Sequence, residues 1–383
     1  MKILFVNRML GIAWGGGENY DYNLASALSA QGHSVAFLGG RRRRTGSRVD
    51  GIETEWVETP YWRHWMYRLG GRIPLLPGMI AEADLHVFQR AAIERVRQWK
   101  REKGFDVLQV LGLPRLARAA SAEGWPVALR FPGPPAWFQR RALEKLSARS
   151  GVGIFSHGDT VRRLRGDWGL PVHEVRPGIR TAVFGPVAEG ERADARAARG
   201  WGRNDLVIAS VGRMVPGKGH RFLIRAVAGL AGALPSARLV LAGDGPLRAQ
   251  LETDAAASPA GGRIEFTGEL RREQVARLLG AADLFALCSD YENFSNAVLE
   301  AMATGLPVIA PRLGGFPMQI TDGINGRLYE PGSETGFQSA CAALADGNAR
   351  RAMSAGAREY ASRFRWEASA EEATKLYERL LAH

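Results

Sequence analysis

Cysteine is nearly absent: Cys288 and Cys341 are the only two in 383 residues, in no metal-binding or redox spacing, which excludes a disulfide scaffold and a cysteine-ligated zinc fold. The seven histidines form no ligand pair either, so reduced thiols, no metal and no cofactor are expected. No stretch approaches the roughly 18 apolar residues of a membrane-spanning helix. The apolar opening Met1–Val6 is cut short by Asn7-Arg8, too early for a secretory signal, and the expected location is the cytoplasm. Internal repeats are missing, as is any recognised nucleic-acid motif, so a nucleic-acid partner is not expected.

What is present is an ordinary globular composition, 46% hydrophobic and 23% charged, with an uneven charge. Residues 1–183 hold 28 Lys and Arg against 16 Asp and Glu, whereas residues 184–383 hold 23 of each. The whole excess of +12 therefore lies in the first half. An acidic bilayer or a phosphorylated acceptor would each fit it. The run Arg41–Arg44 stands near Trp56–Leu76, where Tyr61, Trp62, Trp65 and Tyr67 alternate with Arg63, Arg68 and Arg72. Aromatics mixed with cations suit a lipid headgroup zone, and peripheral attachment to the inner face of the plasma membrane is one expectation; a loop packed on its own domain is the other.

Short apolar strands alternate with helical stretches along the chain. Strands are expected at Lys2–Val6, Ser34–Leu38, Val107–Val110, Val127–Phe131, Ile154–Ser156 and His173–Val175, with helices over Asn19–Ala30 and Ala81–Glu102. A second series follows at Leu206–Val211, Arg238–Ala242, Ile264–Phe266, Leu284–Leu287 and Val308–Ala310. The low-hydrophobicity stretch Pro186–Gly202 reads as the linker between the two. The pattern is α/β, with two doubly wound parallel-sheet domains and ligands expected at strand C-terminal ends, in the cleft between domains.

Three constellations fall at such ends. After the first strand, Gly15-Gly16-Gly17-Glu18 leads into a helix, where glycines let backbone N–H groups approach a diphosphate. After Val211 comes Gly212-Arg213-Met214-Val215-Pro216-Gly217-Lys218-Gly219, whose Arg213 and Lys218 can neutralise a leaving diphosphate. It is no Walker loop, because Lys218 lacks a following Ser or Thr. The third runs from Asp290 to Ala310: Glu292 precedes a helix that Ser295 or Asn296 can cap, Glu300 lies about one turn inside, and Gly305 and Pro307 stop it. Two carboxylates beside a helix N-terminus fit a sugar nucleotide, since carboxylates accept hydrogen bonds from vicinal hydroxyls and the helix end attracts phosphate.

This order, with Ala242-Gly243-Asp244-Gly245-Pro246, Phe266-Thr267-Gly268, Gly305-Leu306-Pro307 and Asn325-Gly326-Arg327-Leu328, resembles glycosyltransferase family four, retaining enzymes of the GT-B fold. The likeness covers nearly the whole chain, most strongly Val211–Pro331 and most weakly Arg41–Ala81. It implies an acceptor-binding Rossmann-like domain over 1–183, onto which the terminal helix 366–383 crosses back, and a nucleotide-sugar-binding one over 184–365. Arg213, Lys218 and Glu292 become the catalytic set, with Arg213 and Lys218 on the diphosphate and Glu292 facing the donor sugar. Glu300 would hold the ribose, Gly15, Gly16 and Gly17 the phosphates, and Gly268, Glu269 and Leu270 the base. Asn293, Phe294, Ser295 and Asn296 would line the donor sugar. Many relatives carry a histidine after the strand Val127–Phe131; here the sequence reads Arg130-Phe131-Pro132-Gly133. Either Arg130 takes over contact with donor or acceptor or the segment is shifted, and His157 is the other acceptor-side candidate. The implied activity is retaining transfer of a hexosyl or N-acetylhexosaminyl group from a nucleotide diphosphate sugar, UDP-linked, to a hydroxyl of a glycan, glycolipid or lipid-linked acceptor in envelope or polysaccharide biosynthesis. A soluble small-molecule acceptor and an inactive sugar-nucleotide-binding scaffold are the alternatives.

Overall fold

The computed structural model describes residues 1–12, 15–41, 49, 51–59, 76–135, 139–149 and 151–382, and for 76–82 the backbone alone. Two compact units make up the chain: Met1–Gly178 with Trp366–His383, and Ile179–Arg365. The first break falls short of the expected 183 for a local reason. Ile179 donates its N–H to the Phe364 carbonyl at 3.0 Å, and Ile179 and Phe184 are buried in the core of the second unit.

The first unit is a seven-stranded parallel sheet formed by β1 (Lys2–Gly11), β2 (Ser34–Arg41), β3 (Glu53–Glu58), β4 (Val107–Leu111), β5 (Val127–Arg130), β6 (Val152–Ser156) and β7 (Val172–Glu174), in the order β3-β2-β1-β4-β5-β6-β7. Alternate residues of β1 feed opposite layers. Ile3 and Phe5 pack with the helices Gly16–Ala30 and Trp366–Leu381, and Leu4 and Val6 with the helix Leu76–Glu102. Because both faces are covered, the strand reads as an unbroken apolar run. The terminal helix lies so close that a Cβ on Gly153 would come within 2.8 Å of Leu376 Cδ1.

The second unit repeats the plan with six parallel strands, β8 (Leu206–Val211), β9 (Ala237–Ala242), β10 (Ile264–Gly268), β11 (Leu284–Ala286), β12 (Val308–Pro311) and β13 (Gly326–Tyr329), ordered β10-β9-β8-β11-β12-β13. In each sheet the strand order reverses beside the first strand, at β1/β4 and at β8/β11, and crevices for ligands open beyond strand C-termini at such points. This is the GT-B fold, two Rossmann-like α/β domains.

Several sequence expectations need correction. Pro186–Gly202 is not a linker throughout, since Glu189–Ala197 is a helix. Beside the half-buried Ala195, it docks through two cations. Arg192 donates to the carbonyls of Gly280 (2.9 Å) and Ala282 (2.5 Å) and pairs with Asp283 at 2.8 Å, and Arg196 reaches Ala281 O and Asp283 Oδ2, both at 3.0 Å. Those carbonyls end the helix Arg272–Ala281, where the dipole favours positive charge, so hydropathy conceals the packing. The edge strands β3 and β13 were not anticipated; the Glu-rich β3 carries the charge that protects a sheet edge. Trp56, the first residue of the stretch expected at a lipid headgroup zone, lies in β3 against its own sheet, where a Cβ on Gly39 would meet Trp56 Cζ3 at 2.6 Å. Arg41 ends β2; Arg42–Arg44 and the aromatic–arginine run Tyr61–Arg72 lie outside the described residues.

Candidate functional site

The loop after β8 is fastened by glycines that admit a neighbouring backbone. Gly243, at φ 140°, would place a Cβ 2.0 Å from the Gly212 carbonyl, and Gly245, at φ 157°, one 2.4 Å from that of Met214. The N–H of Gly212 donates to Ala242 O at 2.9 Å and that of Met214 to Asp244 O at 2.8 Å, while the Met214 side chain is fully buried. On the other side a Cβ on Gly219 would stand 1.9 Å from Cys288 O, and Asp290 donates its N–H to Gly217 O at 2.8 Å. Loops following β8, β9 and β11 are thus interlocked. Any side chain at Gly219, Gly243 or Gly245 would force them apart.

This fastening brings together two residues 74 positions apart. Lys218 Nζ donates to Glu292 Oε1 at 2.5 Å, and Ser289 Oγ donates to the same oxygen at 2.8 Å. The pair keeps access to solvent, at 28% for the lysine side chain and 14% for the glutamate. Arg213, in the same loop, is exposed, and its guanidinium has no partner among the described residues. Positive charge is therefore on offer where an anionic ligand can reach it. His220, buried just after the loop, is held neutral with a pKa lowered to about 4, first by burial and then by Lys218, and its Nδ1 has no hydrogen-bond partner.

From Glu292 the chain enters the helix Asn296–Ala303, and the sequence capped it correctly in one of two ways: Ser295, not Asn296, is the cap, its Oγ accepting from Val298 N at a long 3.4 Å. Gln319 fixes the entry by accepting from Ser295 N (2.7 Å) and donating to Ser295 O (3.0 Å), and Asn325 donates to Gln319 O in turn. The loop is gripped from a third side at Gly315, whose Cβ would lie 1.9 Å from Asn293 O and whose N–H donates to Glu292 O. Asn293 and Ser295 are buried, while Phe294 and Asn296 are half-buried. The uncapped N–H groups of the first turn and the positive dipole end favour an anion there.

Glu300, one turn further, is half-buried with its pKa pushed up to about 7 by desolvation, against the pull of Arg272, whose Nη1 stands 3.9 Å from Glu300 Oε1. Its carboxylate is short of hydrogen-bond donors among the described residues, so it can accept from hydroxyls of a ligand. Gly268 ends β10 in the left-handed region at φ 74°, Glu269 is exposed, and Leu270 packs on the core. Within this unit the structure brings together Lys218 with Glu292, and Glu300 with Arg272 just beyond the Gly268–Leu270 segment.

In the first unit Gly16 and Gly17 are the opening turn of the helix Gly16–Ala30, which starts before the expected Asn19. Glu18 accepts from the Gly15 N–H at 3.0 Å, which fixes that start. None of the three glycines has a positive φ, and a Cβ at Gly16 would meet nothing within 4 Å. Gly16 thus leaves space above the helix end, while a Cβ on Gly17 would lie 3.4 Å from Leu111 Cδ2.

The acceptor-side candidates are interior groups. Arg130 is wholly buried, with Nε on Asp21 Oδ1 and Nη2 on Gly17 O, both at 2.9 Å. His157 is buried and stacks on Tyr20 at 5.1 Å and 9°, its pKa lowered to about 3 by burial and by Arg130. Residues that sequence reasoning missed are Ser289, Gln319, Arg272 and Asp21. Asp21 alone left a signal, an acid on the face that Tyr20, Leu24 and Leu28 show to be buried.

Fold and site together define a class, a GT-B protein with basic loops and a carboxylate-bearing helix beyond the C-termini of its second sheet. Residues 191–360, within the second unit, match the family described as glycosyl transferases group 1. Over 221 residues the chain is 34% identical to the D-inositol 3-phosphate glycosyltransferase of Mycobacterium marinum, a match covering 54% of this chain and 45% of that protein; for the Mycobacterium tuberculosis (strain F11) enzyme of that name the figures are 34%, 54% and 43%. The chain thus spans less than half the length of these curated relatives. Among solved structures, sucrose-phosphate synthase from Thermosynechococcus elongatus superposes with TM-score 0.80 at 21% identity, covering 100% of this chain and 99% of that one. Anabaena HepE in complex with UDP and glucose gives 0.74 at 19%, covering 98% of each. No described helix is long and apolar enough to cross a membrane.

Proposed function

We propose that the protein transfers a sugar, with retention, from a nucleotide diphosphate sugar, UDP-linked, to a hydroxyl of a glycan or lipid-linked acceptor. The observation carrying this reading is the meeting of Lys218 and Glu292 at 2.5 Å, beside the exposed Arg213 and before an open helix N-terminus. Arg213, Lys218 and that helix end stabilise the charge that grows on the leaving diphosphate, and in a front-face transfer the leaving oxygen takes the acceptor proton, so no protein nucleophile is needed. Glu292 orients Lys218 and accepts from a donor-sugar hydroxyl, and Glu300 accepts from the ribose. The backbone of Gly15–Gly17, at a helix N-terminus of the first unit, is assigned to phosphate binding. Because these cations supply the neutralising charge, EDTA is expected to leave turnover unchanged.

A soluble phosphorylated acceptor is a second reading, favoured by the +12 charge confined to residues 1–183 and by the inositol 3-phosphate in the relatives' name. A thermal-shift screen of UDP-, GDP- and ADP-sugars tests the donor, since a ligand that binds the native state raises stability by mass action. UDP-sugars should give the largest shift, and NMR of the product should show the donor's anomeric configuration kept. No shift with any nucleotide sugar, or an inverted product, defeats the reading.

A further inference from the structure

Arg130 ends β5, in register between Leu111 of β4 and Phe155 of β6, and 0% of its side chain is exposed. Nε donates to Asp21 Oδ1 and Nη2 to the Gly17 carbonyl, both at 2.9 Å, and the flat guanidinium lies over the Tyr20 ring, 4.0 Å from Cζ to centroid. Gly17 and Asp21 are four residues apart in the helix Gly16–Ala30, so one side chain spans its first turn. Asp21, 2% exposed, is itself held: Asn7 Nδ2 donates to Oδ2 at 2.8 Å and Gln109 Nε2 to Oδ1 at 3.4 Å. Tyr20, in contact with both Arg130 and His157, donates its hydroxyl to Val175 O at 2.8 Å.

Such a pair is a poor device for stability alone. Taking both charges out of water costs about as much as their attraction returns, and apolar side chains of the same volume would serve the core as well. What apolar residues could not do is donate to the Gly17 carbonyl. Around the position of a Gly17 Cβ stand Leu111 Cδ2 at 3.4 Å and Pro132 Cβ at 3.8 Å, so the glycine turn is seated on the ends of β4 and β5 while Gly16 faces open space. We propose that Arg130 is a positioning residue, a clamp that fixes the Gly15–Gly17 backbone against the strand ends so that the N–H groups of Gly16 and Gly17 stay aimed at a phosphate; it is not an acceptor contact. The phosphate role of the loop rests on the transfer reading above, whereas the clamp itself is a statement about the first unit alone.

The test compares full-length wild type, Arg130→Lys, Arg130→Met and the double variant Asp21→Asn/Arg130→Met. Arg130→Met strands a buried carboxylate and should melt early. The double variant removes that carboxylate charge and should recover most of the melting temperature, yet it leaves Gly17 O without its donor. Amide hydrogen exchange over residues 15–20 should then rise on the order of ten-fold, about the worth of one charge-assisted hydrogen bond. kcat for transfer should fall by a similar factor, with the affinity for free UDP changed far less. Arg130→Lys keeps Asp21 paired and covers the case in which neither Met variant folds, with exchange expected between the two extremes. Wild-type exchange over residues 15–20 in the double or the Lys variant overturns the clamp. If exchange rises while wild type transfers sugar from no nucleotide sugar, the clamp stands and the transfer reading falls.

Discussion

Each unit sets a cation against a carboxylate near the C-terminal end of a strand, but water reaches only one of the two pairs. Lys218 and Glu292 retain 28% and 14% exposure, whereas Arg130 and Asp21 have 0% and 2%. An exposed lysine can turn from its carboxylate to a phosphate with little desolvation cost, since its charge stays solvated throughout. A buried guanidinium cannot leave its partner without stranding an ion in a medium of low dielectric. The same chemistry therefore leaves a pair open to solvent in one unit and a pair sealed in the framework in the other.

The largest effect should come from breaking the buried pair. Arg130→Met is expected to lower stability by about 3–5 kcal/mol, the penalty for an unpaired interior charge, read from urea denaturation; a loss under about 1 kcal/mol would mean that water already reaches Asp21. Removing the open cation should spare stability and strike turnover. Lys218→Ala is expected to reduce kcat by roughly 10²-fold with a smaller loss of donor affinity, because charge on the diphosphate is greatest in the transition state. Unchanged kcat removes Lys218 from the mechanism.

The two glutamates sharpen the contrast within the second unit. Glu300→Ala should weaken free UDP and Glu292→Ala should spare it while abolishing activity, so equal losses in a UDP titration refute the division of roles. The pH dependence has a definite sign. Burial raises the Glu300 pKa to about 7, and hydroxyl donors bind the ionised form, so donor affinity should be complete above that value and decline as pH falls through it. Titrations of UDP-glucose across this range should show the decline, and Glu300→Gln should flatten it. The smallest effect belongs to a pair with both partners in water. Arg225 and Glu334 meet at 2.8 Å with exposures of 55% and 37%, and Arg225→Ala should change stability by less than about 1 kcal/mol in urea denaturation.

Much of the second unit was legible from sequence because its signals are local. β8 was placed to the residue, and the glycine-flanked cation loop 212–219 was found at its end, whereas the backbone contacts at Gly219, Gly243 and Gly245 appeared only in the structure. Side chains that dock by charge were not legible. Arg192 and Arg196 made a packed helix look like a linker, since hydropathy counts a guanidinium as polar whether it faces water or a row of carbonyls.

Periodicity and turn chemistry act over a few residues, so the chain on its own determined its α/β alternation, its parallel plan and the strand ends at which its glycine and cation loops stand. Tertiary structure decided what each charge does there. Asp21 and Arg130 are 109 residues apart and Lys218 and Glu292 are 74 apart, and nothing in either local sequence says which pair will be sealed from water. That depends on what the fold lays over them. Tyr20 and the strand ends close over Arg130, while the interlocked loops of the second unit leave Lys218 at their surface, and exclusion of water is a property of packed neighbours rather than of the residues themselves.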